Sequence, residues 1–378
     1  MKLTIERGAL LKALGHVQNV VERRNTIPIL SNVLLTATDE GLAFSATDLD
    51  MEIADSAPAR VESPGQITAP AHTLYEIVRK LPEGADVSLG FTGDDPRLQV
   101  QAGRYKVNLP VLPAGDFPIM SSDGLTGKIA VDTADLMRLI DKTRFAISTE
   151  ETRYYLTGIY LHTVVEEGRQ LLRAVATDGH RLALADMVAP EGSVAAPGVI
   201  VPRKTVQEVR RLLEDAGESV DVQLSPQKVR FDIGRAALTS KVIDGSFPDY
   251  TRVIPRENHR MMTVDNAMFA AAVDRVATIS SEKSRSVKLS VETGRIVLTV
   301  RNMETGQAVE EVEADYDGDP FEIGFNARYL MDVTAQIAGE TAEFRFAERG
   351  AAATMLDPVL VLDPKDADVQ YVLMPLRA

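Results

Sequence analysis

The segment Thr177-Asp178-Gly179-His180-Arg181 carries the most enzyme-like chemistry in this chain. A histidine beside an aspartate invites a general-base reading. No serine or cysteine nucleophile elbow accompanies it, so a loop that shapes a binding surface is the better reading. Asp48 and Asp50, in Ala-Thr-Asp-Leu-Asp, could hold Mg²⁺, yet two carboxylates without further partners fit turn formation and solvation better. Asp317-Gly318-Asp319 is too short for an EF-hand loop and reads as a turn. The histidines at 16, 72, 162, 180 and 259 have no metal-ligand spacing. There is no G-x-x-x-x-G-K-[ST] loop and no G-x-G-x-x-G. With no cysteine in the chain, disulfides, zinc–thiolate sites and thiol catalysis are excluded. No catalytic residue, no metal and no cofactor is expected.

The elements that would position such a loop repeat. A short strand, a polar cap and an amphipathic helix recur three times. Leu3-Thr4-Ile5-Glu6 leads into Leu10 to Leu14, Ile129-Ala130-Val131-Asp132 into Leu136 to Ile140, and Met262-Thr263-Val264-Asp265 into Phe269 to Val273. Superposing Ile5, Val131 and Val264 gives offsets of 126 and 133, against a third of the chain at 126. A second unit also recurs: Ile67-Thr68-Ala69-Pro70 before Leu74 and Val78, Val199-Ile200-Val201-Pro202 before Val206 and Val209, Ile323-Gly324-Phe325-Asn326 before Leu330 and Val333. The apolar spacing gives each helix one buried stripe. Pro70 and Pro202 suit a helix start, and Asn326 could cap the third copy. Alternating runs such as Val33 to Leu35, Leu42 to Phe44, Leu171 to Val175, Val229 to Phe231 and Ile296 to Val300 read as antiparallel strands joined by hairpins. The fold class is α+β: three repeated domains, 1–126, 127–256 and 257–378, each with two helices packed on antiparallel sheets.

Apolar residues make up 45% of the 378, enough for several cores, and no run is long enough to span a membrane. The start has no signal-peptide pattern, so the cytoplasm is the expected compartment. A net charge of −14 argues against nucleic acid as partner unless the basic residues are gathered. They are concentrated in the predicted helices. Windows 9–24, 72–80, 135–144, 203–214, 266–285 and 326–337 hold 16 basic and 9 acidic residues, a balance of +7 that leaves −21 elsewhere. If all six helices share one side of the sheets, they form a basic surface able to attract a duplex locally. No aromatics interleave, so the contact expected is to phosphates and blind to sequence. Ordinary solvated helix faces would give the same tally.

Longer motifs carry a resemblance. They are Thr26-Ile27-Pro28-Ile29-Leu30, Ala46-Thr47-Asp48-Leu49-Asp50-Met51-Glu52, Leu81 to Ala85, Arg153-Tyr154-Tyr155-Leu156-Thr157-Gly158, Ala176-Thr177-Asp178-Gly179-His180-Arg181-Leu182-Ala183, Val201 to Lys204, Phe247-Pro248-Asp249-Tyr250 and Val372-Leu373-Met374-Pro375-Leu376-Arg377. Over its whole length the chain resembles the bacterial DNA sliding clamps, the beta subunits of DNA polymerase III. The resemblance implies a non-catalytic processivity factor, a head-to-tail homodimeric ring around duplex DNA. It implies a hydrophobic cleft that takes short peptides from replicative and other polymerases, the clamp loader and repair factors. Carried over, one part of the cleft uses Tyr155, Leu156, Thr177, Gly179, His180, Arg181 and Leu182. Another uses Pro248, Arg252, Val253, Asn326 and Tyr329, and the last uses Val372, Met374, Pro375, Leu376 and Arg377. Leu, Val, Met and Pro offer an apolar floor, while Asn326 and the arginines can satisfy a peptide backbone or acidic group. The contributions of Ala378 and of Gly350 to Met355 stay open. The helix residues assigned to face DNA are Arg24, Lys80, Arg138, Lys142, Arg203, Lys204, Arg210 and Arg275. Ring closure in the family pairs the strand holding Arg104, Lys106, Val107 and Leu109 with the third domain near Ile279. Glu310, Glu311 and Glu313 are expected to face Arg104 and Lys106 of the second copy.

Three other readings stay open at this stage: a monomeric DNA-binding scaffold of the same fold, a metal-dependent enzyme using Asp48, Asp50 and His180, and an antibiotic-resistance copy of a clamp.

Overall fold

The computed structural model describes residues 1–92, 96–121, 123–193, 196–280, 285–348 and 357–376. Of the positions discussed above, Glu282, Lys283, the segment 350–355, Arg377 and Ala378 lie outside the described residues.

The strand-to-helix repeat is present in all three copies. Strands Lys2–Glu6, Thr126–Asp132 and Arg260–Asp265 run directly into helices α1 (Arg7–Val17), α3 (Thr133–Thr143) and α5 (Asn266–Ala277). The last residue of each strand is a carboxylate that caps the helix. Glu6 accepts from Ala9 N at 2.8 Å, Asp132 from Ala134 N at 2.8 Å, and Asp265 from Met268 N at 2.8 Å. Each satisfies an orphan N–H and sets a negative charge against the positive helix end. The second series is Gly65–Pro70 into α2 (Ala71–Lys80), Val199–Pro202 into α4 (Arg203–Leu212) and Phe321–Asn326 into α6 (Ala327–Thr334). Pro70 and Pro202 make no capping bond, whereas Asn326 caps α6 by accepting from Arg328 N at 2.9 Å.

Two helices, α1 and α5, end seven or more residues short of their windows. α1 stops at Val17: Gln18 N still bonds Leu14 O at 2.9 Å, but Val20 N and Val21 N bond only three residues back, to Val17 O and Gln18 O. Arg23 and Arg24 therefore sit beyond the helix. α5 stops at Ala277, and the carbonyl of Ile279 accepts instead from Asn302 Nδ2 and Thr305 Oγ1. No helix among the described residues is long and apolar enough to cross a membrane.

The chain forms two compact units, residues 1–137 with 190–242, and residues 138–189 with 243–378. The first holds two antiparallel sheets. One has the order Arg60–Ser63, Lys2–Glu6, Asp86–Gly90, Arg97–Ala102, Tyr105–Pro110. The other has eight strands, and in it strand Ala236–Lys241 of the middle third pairs with Met51–Ala57 of the first third, Leu238 opposite Ile53. The second unit joins its thirds the same way: Arg181–Val188 pairs with Asp366–Leu373, Leu182 opposite Val372. Alternation along these strands buries one face. Ser286–Glu292 and Lys228–Ile233 bury every second residue, at about 1.5–3 kcal/mol for each large aliphatic side chain. Hairpin turns at Gly41 and Gly294 use glycines at positive φ.

Candidate functional site

The turn between strands Arg169–Thr177 and Arg181–Val188 is built by side chains bonding their own backbone. Asp178 Oδ1 accepts from His180 N at 2.9 Å and Arg181 N at 3.0 Å. Thr177 Oγ1 accepts from Gly179 N at 3.1 Å and donates to Arg181 O at 2.7 Å. Gly179 has φ +87°, and a Cβ there would lie 2.6 Å from a guanidinium nitrogen of Arg153, which Glu150 holds in place. Only glycine fits.

Arg181 turns inward from this turn. Its guanidinium meets Asp178 at 3.2 Å, Asp332 of α6 at 2.5 Å and the Phe145 carbonyl at 2.7 Å. It also lies over the Tyr329 ring at 4.5 Å and the Phe145 ring at 5.1 Å. With each of its three nitrogens bonded, it acts as a brace rather than a free cation.

Beside the brace runs a shallow groove of about 160 Å³, lined by Leu156, Thr177, Gly179, Arg181, Leu182, Pro248, Asp249, Tyr250, Val253, Val372 and Met374. Its lining is mostly carbon, over a core of Val175, Leu182, Leu184, Tyr250, Leu360 and Val372. Such a surface can take apolar side chains of an extended ligand. Nine of the residues expected in the cleft line it. Asp249 and Tyr250 were missed, although both stand in the Phe-Pro-Asp-Tyr motif. Tyr250 follows Pro248 closely in the chain, the signal that could have found it.

The remaining cleft candidates lie apart from this groove's lining. His180 stacks on Tyr329 with ring centres 6.2 Å apart, and its carbonyl accepts from Met374 N. Leu376 N bonds Gly324 O at 2.8 Å, leaving its side chain exposed. Tyr155 meets Tyr154 edge-on, and Arg252 is paired with Asp249 at 2.8 Å. Asn326 Oδ1 caps α6 by accepting from Arg328 N. Pro375 is buried.

The Asp48 turn is also self-satisfied. Its Oδ1 accepts from Asp50 N and Met51 N and its Oδ2 from Lys204, while Asp50 pairs with Lys241. Among the described residues no group of three His, Asp or Glu side chains is placed to hold a metal.

The helix cations divide. In the first unit Arg24, Lys80 and Arg203 are exposed and without an ion-pair partner among the described residues. Lys204 is bound to Asp48, and Arg210 to Glu214. In the second unit Arg138 is bound to Asp366 and the Asp186 carbonyl, and Lys142 to the Gln336 carbonyl. Arg275 pairs with Glu310, and Arg295 with Glu311. Arg275 and Glu310 had been assigned to different surfaces, yet they meet within the chain. A lone count of basic residues could not see these partners.

Several strands among the described residues have an unpaired edge, and two of them carry the interface candidates. Tyr105–Pro110, which holds Lys106, Val107 and Leu109, is the last strand of its sheet, with Arg104 just before it. Gly306–Asp315, which holds Glu310 and Glu311, pairs along its length with Arg295–Asn302, but on its other side only Ala314 and Asp315 are paired. Ile279 stands just past the end of α5, its side chain partly exposed.

Comparison with known proteins gives three consecutive family matches. Residues 1–121 match the N-terminal domain of the DNA polymerase III beta subunit, 130–249 its central domain and 251–377 its C-terminal domain. The beta sliding clamp of Caulobacter vibrioides is 75% identical over 377 residues, all of both chains. That of Pseudomonas aeruginosa is 39% identical over 378 residues, again all of both. A crystal structure of the Caulobacter crescentus beta sliding clamp superposes with a TM-score of 0.97 at 75% identity, covering 100% of this chain and 99% of that one. A Bartonella birtlesii sliding clamp bound to griselimycin superposes with a TM-score of 0.95 at 45% identity, covering all of both chains.

Proposed function

The chain belongs to the DNA polymerase III beta-subunit family, the beta sliding clamps, and from that premise we propose that it encircles duplex DNA as a homodimeric ring, slides without sequence preference and tethers its partners through the groove beside Arg181. It works in the cytoplasm as a DNA polymerase processivity factor, without catalysis or cofactor. Its three domains are 1–126, 127–256 and 257–378. DNA polymerases, the clamp loader and repair factors dock by short apolar peptide motifs.

The observation that carries ring closure is the way the thirds join. Twice within the chain, the last strand of one third's hairpin pairs with a strand of the preceding third: Ala236–Lys241 on Met51–Ala57, and Asp366–Leu373 on Arg181–Val188. The first third's corresponding strand is Tyr105–Pro110, and the last third's corresponding edge is Gly306–Asp315. Both lack that partner within one chain. Two copies head to tail supply it twice, which closes six repeats. Exposed Lys106 beside Glu310 and Glu311 of the second copy suits that pairing in sign. Exposed Arg24, Lys80 and Arg203 support weak, salt-sensitive phosphate contact, and topological retention makes tight binding unnecessary.

The protein is loaded by its clamp loader and ATP onto nicked circular DNA, and the circle is then cut once. Retention on the circle with rapid loss after cutting is the expected result. Equal retention on both forms means direct binding and sinks the ring mechanism. Deleting 374–378 should abolish binding of griselimycin and of polymerase while the dimer, twice the 41.2 kDa chain, persists. Unchanged binding would sink the groove assignment.

A further inference from the structure

The sheet face that floors the groove continues into a polar row that the groove itself does not use. Register fixes the order. Thr177, Leu182 and Val372 lie across neighbouring strands at the groove, and Tyr160, Val175 and Leu184 lie across the next row. His162, Arg173 and Asp186 lie across the row after that. Arg173 grips Asp186 with two bonds, at 2.7 and 2.6 Å, and also pairs with Glu166. Tyr250 spans the rows. Its ring lines the groove, while its hydroxyl meets His162 Nε2 at 2.9 Å. The His162 ring is sandwiched edgewise and facewise: it stacks on Tyr160 at 4.1 Å, and Tyr160 stacks on Phe247 at 5.1 Å, next to Pro248 of the groove.

We propose that His162 is a positioning residue for peptide binding: with Arg173 and Asp186 behind it, it fixes the Tyr250 ring at the angle that shapes the groove wall. The proposal rests on the groove being the peptide site. A hydrogen-bonded hydroxyl and edge-on contacts with the His162 ring at 5.6 Å and the Phe247 ring at 6.4 Å leave Tyr250 little rotational freedom, so its ring meets a ligand pre-set. The neutral imidazole serves this purpose. His162 Nδ1 is buried without a partner, so a second N–H there would go unbonded, and burial with the nearby Arg173 charge pushes the ring down to about 4.

The test uses the full chain and griselimycin, which two relatives bind, titrated by calorimetry. Loss of one such bond should weaken binding about fivefold in His162→Phe, which keeps a flat ring, and at least as much in Tyr250→Phe, whose hydroxyl also meets Arg173. The double variant should lose no more than Tyr250→Phe alone, because that change already removes the bond to His162. His162→Gln, whose amide can reach the hydroxyl, should bind within about twofold of the parent. Unchanged affinity in the single variants, or a double loss near the product of the singles, overturns the positioning role. If His162→Phe does not fold, Tyr250→Phe alone decides, since its hydroxyl faces away from the ligand. Failure of the parent chain to bind griselimycin is a different result: it removes the groove reading and this role with it.

Discussion

The turns Thr47 to Met51 and Thr177 to Arg181 share one hydrogen-bond scheme, and the groove described above lies beside the second. In both, the threonine hydroxyl donates to the carbonyl four residues on, at 2.8 and 2.7 Å. In both, the aspartate accepts from two following N–H groups. In both, the middle residue has positive φ, +78° at Leu49 and +87° at Gly179. What differs is the fifth residue. Met51 simply joins the core, and a lysine from α4, Lys204, reaches across to Asp48. Arg181 stays with its own turn and braces α6, the Phe145 carbonyl and the Tyr329 ring together. A repeated scaffold therefore does not repeat its site. One substitution at the end of the turn decides whether the local charge is a surface pairing or a structural brace.

Removing the two cations should separate these roles most widely. Arg181 is 9% exposed and bonds two carboxylates. Arg181→Ala leaves both short of their cation in a partly buried place, and we expect a loss of about 3 kcal/mol in urea unfolding. Griselimycin binding should vanish with it. The Lys204 side chain is 40% exposed, so Lys204→Ala should cost less than about 1 kcal/mol and leave griselimycin binding intact. Equal losses would break the comparison.

A second contrast lies in two histidines, one in each unit, with opposite pH signs. His16 donates through both ring nitrogens, to Asp55 at 2.7 Å and Asp215 at 2.8 Å, with Lys12 also on Asp215 and Arg211 on the His16 carbonyl. The bond to Asp55 raises its pKa most, against burial. A raised value means stabilisation that is full below the ordinary 6.5 and lost as pH rises through the folded value. His162 is held down near 4, so its contribution is full above 6.5 and is lost as pH falls toward 4. At about 1.4 kcal/mol per pH unit, that is at most on the order of 3 kcal/mol. Melting curves from pH 5 to 9, as roughly the range either ring can report, should show the parent's advantage over His16→Gln shrinking as pH rises. Its advantage over His162→Phe should shrink as pH falls. Parallel curves would sink both assignments.

Much of this was legible in the sequence. The strand–cap–helix repeat was readable because a carboxylate, Glu6, Asp132 or Asp265, precedes each apolar stripe, and each caps its helix by accepting a first-turn N–H. Nine groove residues were readable through the family resemblance, since an apolar floor needs apolar side chains in fixed order. The charge of the helices was not. Arg138, Lys204 and Arg275 find carboxylates 228, 156 and 35 residues away in the chain, and no local pattern announces such partners. The bond between Tyr250 and its histidine escaped for the same reason: 88 residues separate them in the chain.

The smallest contrast returns to the middle of the two turns. At Gly179 a methyl group would meet both the left-handed backbone and the Arg153 guanidinium, so Gly179→Ala should cost about 2 kcal/mol in unfolding and weaken griselimycin binding. At Leu49 the same backbone strain is already carried by a side chain. Leu49→Gly relieves roughly 1–2 kcal/mol of it and gives back about 0.5–1 kcal/mol as lost unfolded-state restriction. The side chain is 42% exposed, so part of its burial is lost as well. The net expected gain is about 0.5 kcal/mol, readable as a small rise in the urea midpoint at unchanged slope. A loss instead would mean that Leu49 packs more than it strains, and that the two turns differ at their centre as well as at their end.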